Sequence, residues 1–284
     1  MPLEARRDHS MPLEDRRIGF IGGGAMAEAL IGGLLAAGVQ PKALRVSEPD
    51  AARRAQLKAS FGVDALDDNA ELVGTSDVVV LAVKPHVVPE VLAGLENAAI
   101  DRARPLWISI AAGVTLARLQ SGLGSQARIV RSMPNTPALV GAGATGLCGN
   151  EKVRPEDLES ATALFSVVGV AWSASEEALL DAVTGLSGSG PAYVFAFLEA
   201  LIDAGVANGL PRDASELLAF QTVFGAAKLA LESEHGPAEL RRRVSSRGGT
   251  TVAGLAQLDE QGFARAIAEA VAAATRRAKE LGSE

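Results

Sequence analysis

A chain of 284 residues has material for about two domains and an ample core. Its formal net charge is −7 and it contains no long basic run, which argues against nucleic acid as a partner. Hydrophobic residues make up 48% but aromatics only 4%, so small aliphatic side chains and glycine must fill the interior through close helix packing. Cys148 is the single cysteine, which excludes an intrachain disulfide and fits a reducing compartment, so a cytoplasmic setting is expected. His9, His86 and His235 are scattered without metal-ligand spacing, and no metal site is expected.

Residues 1–16 are polar and charged with no apolar h-region, and read as a loose tail rather than a signal peptide. Met1-Pro-Leu-Glu-Ala-Arg-Arg nearly recurs from Met11, which reads as a duplicated start with Met11 as a candidate initiator. Arg17–Leu30 then passes from an apolar, β-prone run through a glycine cluster into an alanine- and leucine-rich run ending at Gly38. That predicts a strand, a tight turn and a helix. Gly22-x-Gly24-x-x-Ala27 fits the dinucleotide fingerprint, and Gly23, Ala25 and Met26 complete the phosphate-facing turn and first helical residues. Gly22 permits the turn, Gly24 lets the backbone approach a pyrophosphate, and Ala27 lets the helix lie close to the strand. The N–H groups at the helix start would face the phosphates.

Ala43–Ser47 reads as a second strand. Glu48 follows where an acidic residue binds the adenosine ribose in NAD enzymes, whereas Ser47 and Arg53-Arg54 could instead serve a 2′-phosphate. On the residues alone these signals conflict. A helix over 51–60 and a short strand near Val63 come next. Asp77–Val83 is a continuous apolar run, as in a parallel strand buried on both faces, and ends in Lys84-Pro85-His86. Ligands of open α/β sheets gather at the carboxyl ends of strands, which places Ala82, Val83, Lys84 and Pro85 at the cofactor site. Ala111 and Ala112 after the strand Leu106–Ile110, and Asn135 after Ala127–Arg131, are assigned to the same site. Strands at Thr145–Cys148 and Val168–Trp172 extend the sheet around one more helix. The alternation predicts an α/β fold, with a Rossmann-type, doubly wound, mostly parallel sheet over residues 17–174.

From 175 onward the pattern is all helical. Glu176–Leu186 is predicted as a helix interrupted by Ser187–Pro191. The runs 192–206 and 214–231 are apolar on nearly every face. Glu199 and Asp203 argue against a membrane span, so these faces are expected to be shared between subunits in a dimer. A second polar glycine loop, Ser245–Thr251, feeds a helix N-terminus where a small anion such as a carboxylate would bind.

With these segments in view the chain resembles pyrroline-5-carboxylate reductases from about Ile18 to Leu281. The resemblance rests on Gly19–Ala27, Ala82–His86, Arg131–Pro137, Thr184–Tyr193 and above all Pro237–Leu255. It implies a dinucleotide-binding domain followed by a helical substrate-binding and dimerisation domain over 175–284. It also implies hydride transfer to the imine carbon of 1-pyrroline-5-carboxylate, giving L-proline, with NADPH as cofactor and NADH possible. By resemblance, the substrate carboxylate meets Ser246, Gly248, Gly249 and Thr250, Thr251 is the catalytic contact to the ring nitrogen, and Glu234 helps order the loop. A homodimer at minimum, and a ring of dimers, is implied. Arg247 stands where the family usually has proline. Two alternatives stay open at this point: a β-hydroxyacid or 6-phosphogluconate-type dehydrogenase, though no lysine accompanies Ser187–Tyr193, and a non-catalytic NADP-binding regulatory protein.

Overall fold

The computed structural model describes residues 13 and 15–283, so most of the expected tail lies outside the described residues. The described residues form two compact units, one comprising 13, 15–189 and 272–283, the other 190–271. The chain's contacts thus divide after Ser189, later than the change in sequence character at 175.

The first unit is built on an eight-stranded sheet. Its strands are β1 (Ile18–Ile21), β2 (Leu44–Ser47), β3 (Asp64–Leu66), β4 (Val78–Leu81), β5 (Leu106–Ser109), β6 (Arg128–Met133), β7 (Gly143–Gly149) and β8 (Gly169–Ser173). The spatial order is β3-β2-β1-β4-β5-β6-β7-β8. The strands from β3 through β6 are parallel, β7 runs antiparallel to β6, and β8 is parallel to β7. Helices α1 (Ala25–Ala36), α2 (Ala51–Phe61), α3 (Asn69–Thr75), α4 (Val88–Glu96), α5 (Leu116–Leu123) and α6 (Pro155–Ser166) make the crossovers.

Strand side chains alternate between two cores because successive Cβ atoms point to opposite faces. Ile18, Phe20, Val78, Val80, Leu106, Ile108 and Val130 join the cluster holding Leu30, Leu34 and Phe165. Ile21, Val79, Leu81, Trp107 and Ile129 join the cluster with Leu72, Leu92 and Leu119. Both faces of the central strands are therefore covered, which is why they read as unbroken apolar runs. Leu13, expected in the tail, is buried in the first cluster.

Polar residues wire the sheet to its helices. The Asp157 side chain, 3% exposed, receives hydrogen bonds from Arg128 of β6 and from the backbone and guanidinium of Arg154. Burial pushes that carboxyl up, but hydrogen bonds from Arg154 and Arg128 outweigh it and hold it below its ordinary value. Arg131 is buried on β6 and pairs with Glu177 at 2.7 Å and Asp181 at 3.8 Å, tying β6 to the helical run that follows β8. Burial also pushes the thiol of Cys148, paired with Arg131 across the β6–β7 ladder, above its usual range.

That run begins with α7 (Leu179–Val183) and continues through a π-helical segment, Thr184–Gly188, into α8 (Gly190–Ala207). The predicted interruption at Ser187–Pro191 is corrected here. The Ser189 N–H donates to Thr184 O at 2.8 Å, so helical bonding carries on with a wider turn instead of breaking. Among the described residues, Leu179–Ala207 is the one helix long and apolar enough to cross a membrane by length and composition.

The second unit contains α8, α9 (Arg212–Glu232), α10 (Pro237–Arg243), α11 (Thr250–Glu260) and the first part of α12 (Phe263–Ser283). Helices α8 and α9 meet closely: Ser215 Oγ donates to Ile202 O at 2.7 Å, and a Cβ on Gly205 would lie 2.2 Å from the Ser215 hydroxyl oxygen. Yet the unit buries little of itself. Phe195, Leu217, Phe220, Phe224 and Leu231 are all more than half exposed. A single copy leaves an apolar surface that monomeric proteins seldom present.

The buried Asp157 cluster should respond to charge removal. Asp157→Asn is expected to destabilise by about 3 kcal/mol at neutral pH, because two arginines lose their shared anion. Its folded-state pKa is depressed, so the wild-type contribution is present above about pH 4, the unfolded carboxylate range, and is lost as pH falls through the lower folded value. Urea unfolding of both proteins at pH 7 and pH 3 should therefore show the difference shrinking in acid.

Candidate active site

The carboxyl ends of β1, β2, β3 and β4, the starts of α1 and α3, and one face of α4 surround a cavity of about 870 Å³ in the first unit. Gly22 turns the chain out of β1 at φ +97°, and a Cβ there would lie 2.8 Å from Ala82 O, so conformation and space both require glycine. A Cβ on Gly23 would meet Leu57 Cδ1 at 2.6 Å. Gly24 differs: a Cβ there would meet nothing within 4 Å, because it would stand in the cavity. Gly24 is the N-cap of α1, and no side chain caps this helix, so its first N–H groups, including those of Ala25 and Met26, are left for a ligand. An open cradle under a helix start is what a pyrophosphate needs.

The Gly23 peptide is held from both sides. Its N–H donates to Glu48 Oε2 at 2.9 Å, and its carbonyl accepts from Arg53 Nε at 2.7 Å. Ser47, buried at the end of β2, donates from its hydroxyl to Asn69 Oδ1 at 2.6 Å.

Of the residues assigned from sequence, Gly22, Gly23, Gly24, Ser47, Glu48, Ala82, Val83 and Lys84 line this cavity. Ala25, Met26, Pro85, Ala111, Ala112 and Asn135 lie outside its lining. Asn135 is engaged internally: its amide nitrogen donates to Ser187 O at 2.9 Å and its oxygen accepts from Ala144 N at 2.9 Å. It thereby joins the end of β6 to β7 and to the π-helical segment. The sequence reading missed Asp67, Asp68, Asn69 and Ala70 after β3, and Val87, Glu90 and Val91 around α4. The strand-end rule applied to β3 would have found the first group. Nothing in the α4 sequence distinguishes its cavity-facing residues from ordinary helix surface.

The second glycine loop belongs to the second unit. Gly249 N–H donates to Ser246 O at 2.9 Å and Gly248 sits at φ +72°, so Ser246–Gly249 is a turn with a left-handed third residue, the type II pattern. Arg247 occupies the position of that turn where proline is favoured because its ring presets φ. A Cβ on Gly249 would lie 2.5 Å from Ser246 Oγ, so the second glycine makes room for the serine. Gly249 is the N-cap of α11 without a side-chain cap, and Thr250 and Thr251 are its first helical residues. Ser245 is spent on Arg241 O. Glu234 is exposed, upstream of the loop. Glu239 on α10 accepts from Arg242 and Arg243, whose hydrogen bonds hold its carboxyl below the usual range. Among the described residues no cluster of His, Cys, Asp and Glu could hold a metal ion.

A pyrroline-5-carboxylate reductase of Synechocystis sp. is 50% identical over 94% of this chain and 99% of its own. The chain belongs to the pyrroline-5-carboxylate reductase family. The reductase of Pseudomonas aeruginosa is 46% identical over 94% of the chain and 97% of its own length. Among solved structures, the Coxiella burnetii pyrroline-5-carboxylate reductase matches with TM-score 0.90 and 41% identity, covering 94% of this chain and 98% of that one. The Plasmodium falciparum pyrroline carboxylate reductase, solved with NADP bound, matches with TM-score 0.82 at 34% identity over 95% and 99% of the two chains. Two family models match: pyrroline-5-carboxylate reductase dimerisation over residues 177–281, and NADP oxidoreductase, coenzyme F420-dependent, over 17–113. Membership of the reductase family removes the β-hydroxyacid dehydrogenase alternative. The fold is the one expected from sequence, an α/β Rossmann-type sheet followed by helices. In this reductase the dimerisation match begins just before α7 and takes in α8 and α9, whose apolar side chains are exposed.

The open space at Gly24 yields a direct test. Gly24→Val should abolish binding of a nicotinamide dinucleotide in a fluorescence titration while the circular dichroism spectrum stays unchanged, since a Cβ there meets no protein atom within 4 Å and the side chain grows into the cradle.

Proposed function

We propose that this reductase uses NADPH, and also NADH, to reduce 1-pyrroline-5-carboxylate to L-proline, the last step of proline biosynthesis. The observation that carries the reading is that each unit has a helix start without a side-chain cap at a glycine loop, α1 at Gly24 and α11 at Gly249. One suits a pyrophosphate and the other a small carboxylate. The nicotinamide, when bound, supplies the hydride. Everything else falls to orientation and electrostatics, because a protonated imine is already electrophilic.

In this reading Gly22–Met26 hold the pyrophosphate, Ser47 and Glu48 the adenosine end, and Ala82–Pro85 the segment toward the nicotinamide. Ala111, Ala112 and Asn135 are kept as the floor near the later strand ends, Asn135 acting through the peptide it holds. Ser246 and the N–H groups of Gly248, Gly249 and Thr250 receive the substrate carboxylate, and Glu234 helps order the loop. Thr251, one residue into α11, directs its hydroxyl at the ring nitrogen and follows it as its positive charge is lost. Residues 17–174 serve the cofactor and 175–284 the substrate and the subunit contact, with 1–16 as a tail. The exposed apolar faces of α8 and α9 support a homodimer, and by likeness to the family a ring of dimers, in the cytoplasm.

Turnover of pyrroline-5-carboxylate with NADPH tests the function; no turnover by the intact oligomer would defeat it. Thr251→Ala is expected to lower kcat by about ten- to a hundredfold, the scale of one good polar contact made in the transition state. Ser246→Ala should chiefly raise KM, and Thr250→Ala should change little, since Thr250 contributes its backbone. Steady-state kinetics on the three variants check this, and a loss confined to Thr250→Ala would shift the assignment by one residue.

For the assembly, sedimentation at micromolar concentration should show no species smaller than a dimer. A stable, active monomer would contradict the reading of α8 and α9 as a shared face.

A further inference from the structure

We infer that Glu48 sets the cofactor choice of this enzyme by opposing a 2′-phosphate at the adenosine end of the cavity, so that NADH is accepted alongside NADPH. This rests on the proposed dinucleotide site and deepens it.

The first observation is the charge of the lining. Glu48, Asp67, Asp68 and Glu90 face the cavity, and Lys84, beyond the end of β4, is the one cation among the lining residues. A 2′-phosphate brings roughly two negative charges, as phosphate monoesters do near neutral pH. It would enter a concave surface already lined by carboxylates.

The second observation is that the nearby arginines are committed elsewhere. Arg53 donates to Gly23 O at 2.7 Å and to Gln56 Oε1 at 2.9 Å, and pairs with Glu28 at 3.0 Å. Arg54 donates to the carbonyls of Glu48 and Pro49, each at 2.8 Å, and pairs with Asp67 at 3.3 Å. Neither arginine lines the cavity. Their spacing in the sequence fits a phosphate clamp, but in the fold they brace the glycine turn and the β2–α2 loop. Ser47 is likewise spent on Asn69. The groups that could have welcomed a phosphate are therefore structural, and an acid remains.

Glu48 is also held in place. Oε2 accepts from Gly23 N–H at 2.9 Å and Oε1 from Asp50 N–H at 3.2 Å. A carboxylate fixed by two backbone donors cannot swing away from an incoming phosphate without leaving both unpaired. It keeps free lone pairs with which to accept from an unphosphorylated ribose hydroxyl. The same anchoring distinguishes charge from shape in a test, because glutamine retains an oxygen for Gly23 N–H and gives up only the longer bond from the exposed Asp50 N–H while removing the charge.

The measurement is equilibrium binding of NADPH and NADH, followed by cofactor fluorescence, to the intact oligomer. Wild type should bind the two within about tenfold of each other. Glu48→Gln should tighten NADPH by fivefold or more and weaken NADH by threefold or more, the latter through loss of a charge-assisted hydrogen bond. A folded Glu48→Gln protein with an unchanged ratio of dissociation constants overturns the inference. So does Arg54→Ala if it weakens NADPH selectively, since that arginine would then be a phosphate ligand. Should Glu48→Gln fail to fold, wild-type protein still decides: screening of a repulsion makes the NADPH-to-NADH ratio of dissociation constants fall as salt rises from about 0.05 to 0.5 M, whereas an attractive phosphate site makes it rise. If neither cofactor binds wild type at all, the dinucleotide site itself falls, which is a separate failure.

Discussion

The first unit depends on how closely the chain approaches itself at Gly22-Gly23. Gly22 lies where a Cβ would collide with the carbonyl leaving β4, and Gly23 where one would strike Leu57 of α2. The Gly23 peptide is then fixed at both ends, by Glu48 from the β2 end and Arg53 from α2. The end of β2 and the first turn of α2 are thereby hydrogen-bonded to one dipeptide, with the end of β4 packed against it. Rigidity at this point leaves the next residue, Gly24, standing clear over the cavity. A buried, cross-braced turn supporting an unobstructed one is how a fold can be stiff where it holds itself and open where it holds a ligand.

The motif at the end of β6 plays a related part. Arg131 reaches Glu177 and Asp181, Ser132 reaches Ser109 O, and Asn135 bridges Ala144 and Ser187. These three side chains join β6 to its neighbours, and two of them, Arg131 and Asn135, lead to the helical run that follows β8. Arg131 is buried, and a buried arginine is retained only with well-placed partners. What in sequence resembles a ligand-binding stretch is, in the described structure, largely a junction.

Much of this was legible from the residues. Sequence pattern located all eight strands, most plainly β1, β4 and β5, because strands covered on both faces cannot avoid continuous apolar runs. The glycine fingerprint identified its own turn because backbone geometry leaves few alternatives there. Side-chain commitments were not legible. Arg53 and Arg54 read as equally available to phosphate or to protein, and only their distances to Gly23, Glu48, Pro49 and Asp67 separate the two. The Ser187–Pro191 segment read as a break because glycine and proline are helix breakers. A π turn accommodates it, a state rare enough that local sequence rarely announces it. Arg247 looked like a departure from the family's pattern. The turn shows why it is tolerated: the left-handed residue that decides the geometry is Gly248, and position 247 needs only an ordinary backbone conformation.

The uncovered helices of the second unit carry a genetic consequence. If, as proposed, a second copy covers these phenylalanines and leucines, folding of the unit becomes a bimolecular event governed by mass action. Low expression would then lower specific activity as well as total activity. A substitution on α8 or α9 would not stay private to the subunit that bears it, because a sound partner would share the damaged core. Mixed oligomers from two alleles would show the defect in more than half of the assembled enzyme, which is the arithmetic of a dominant trait arising in what is otherwise a simple metabolic reductase.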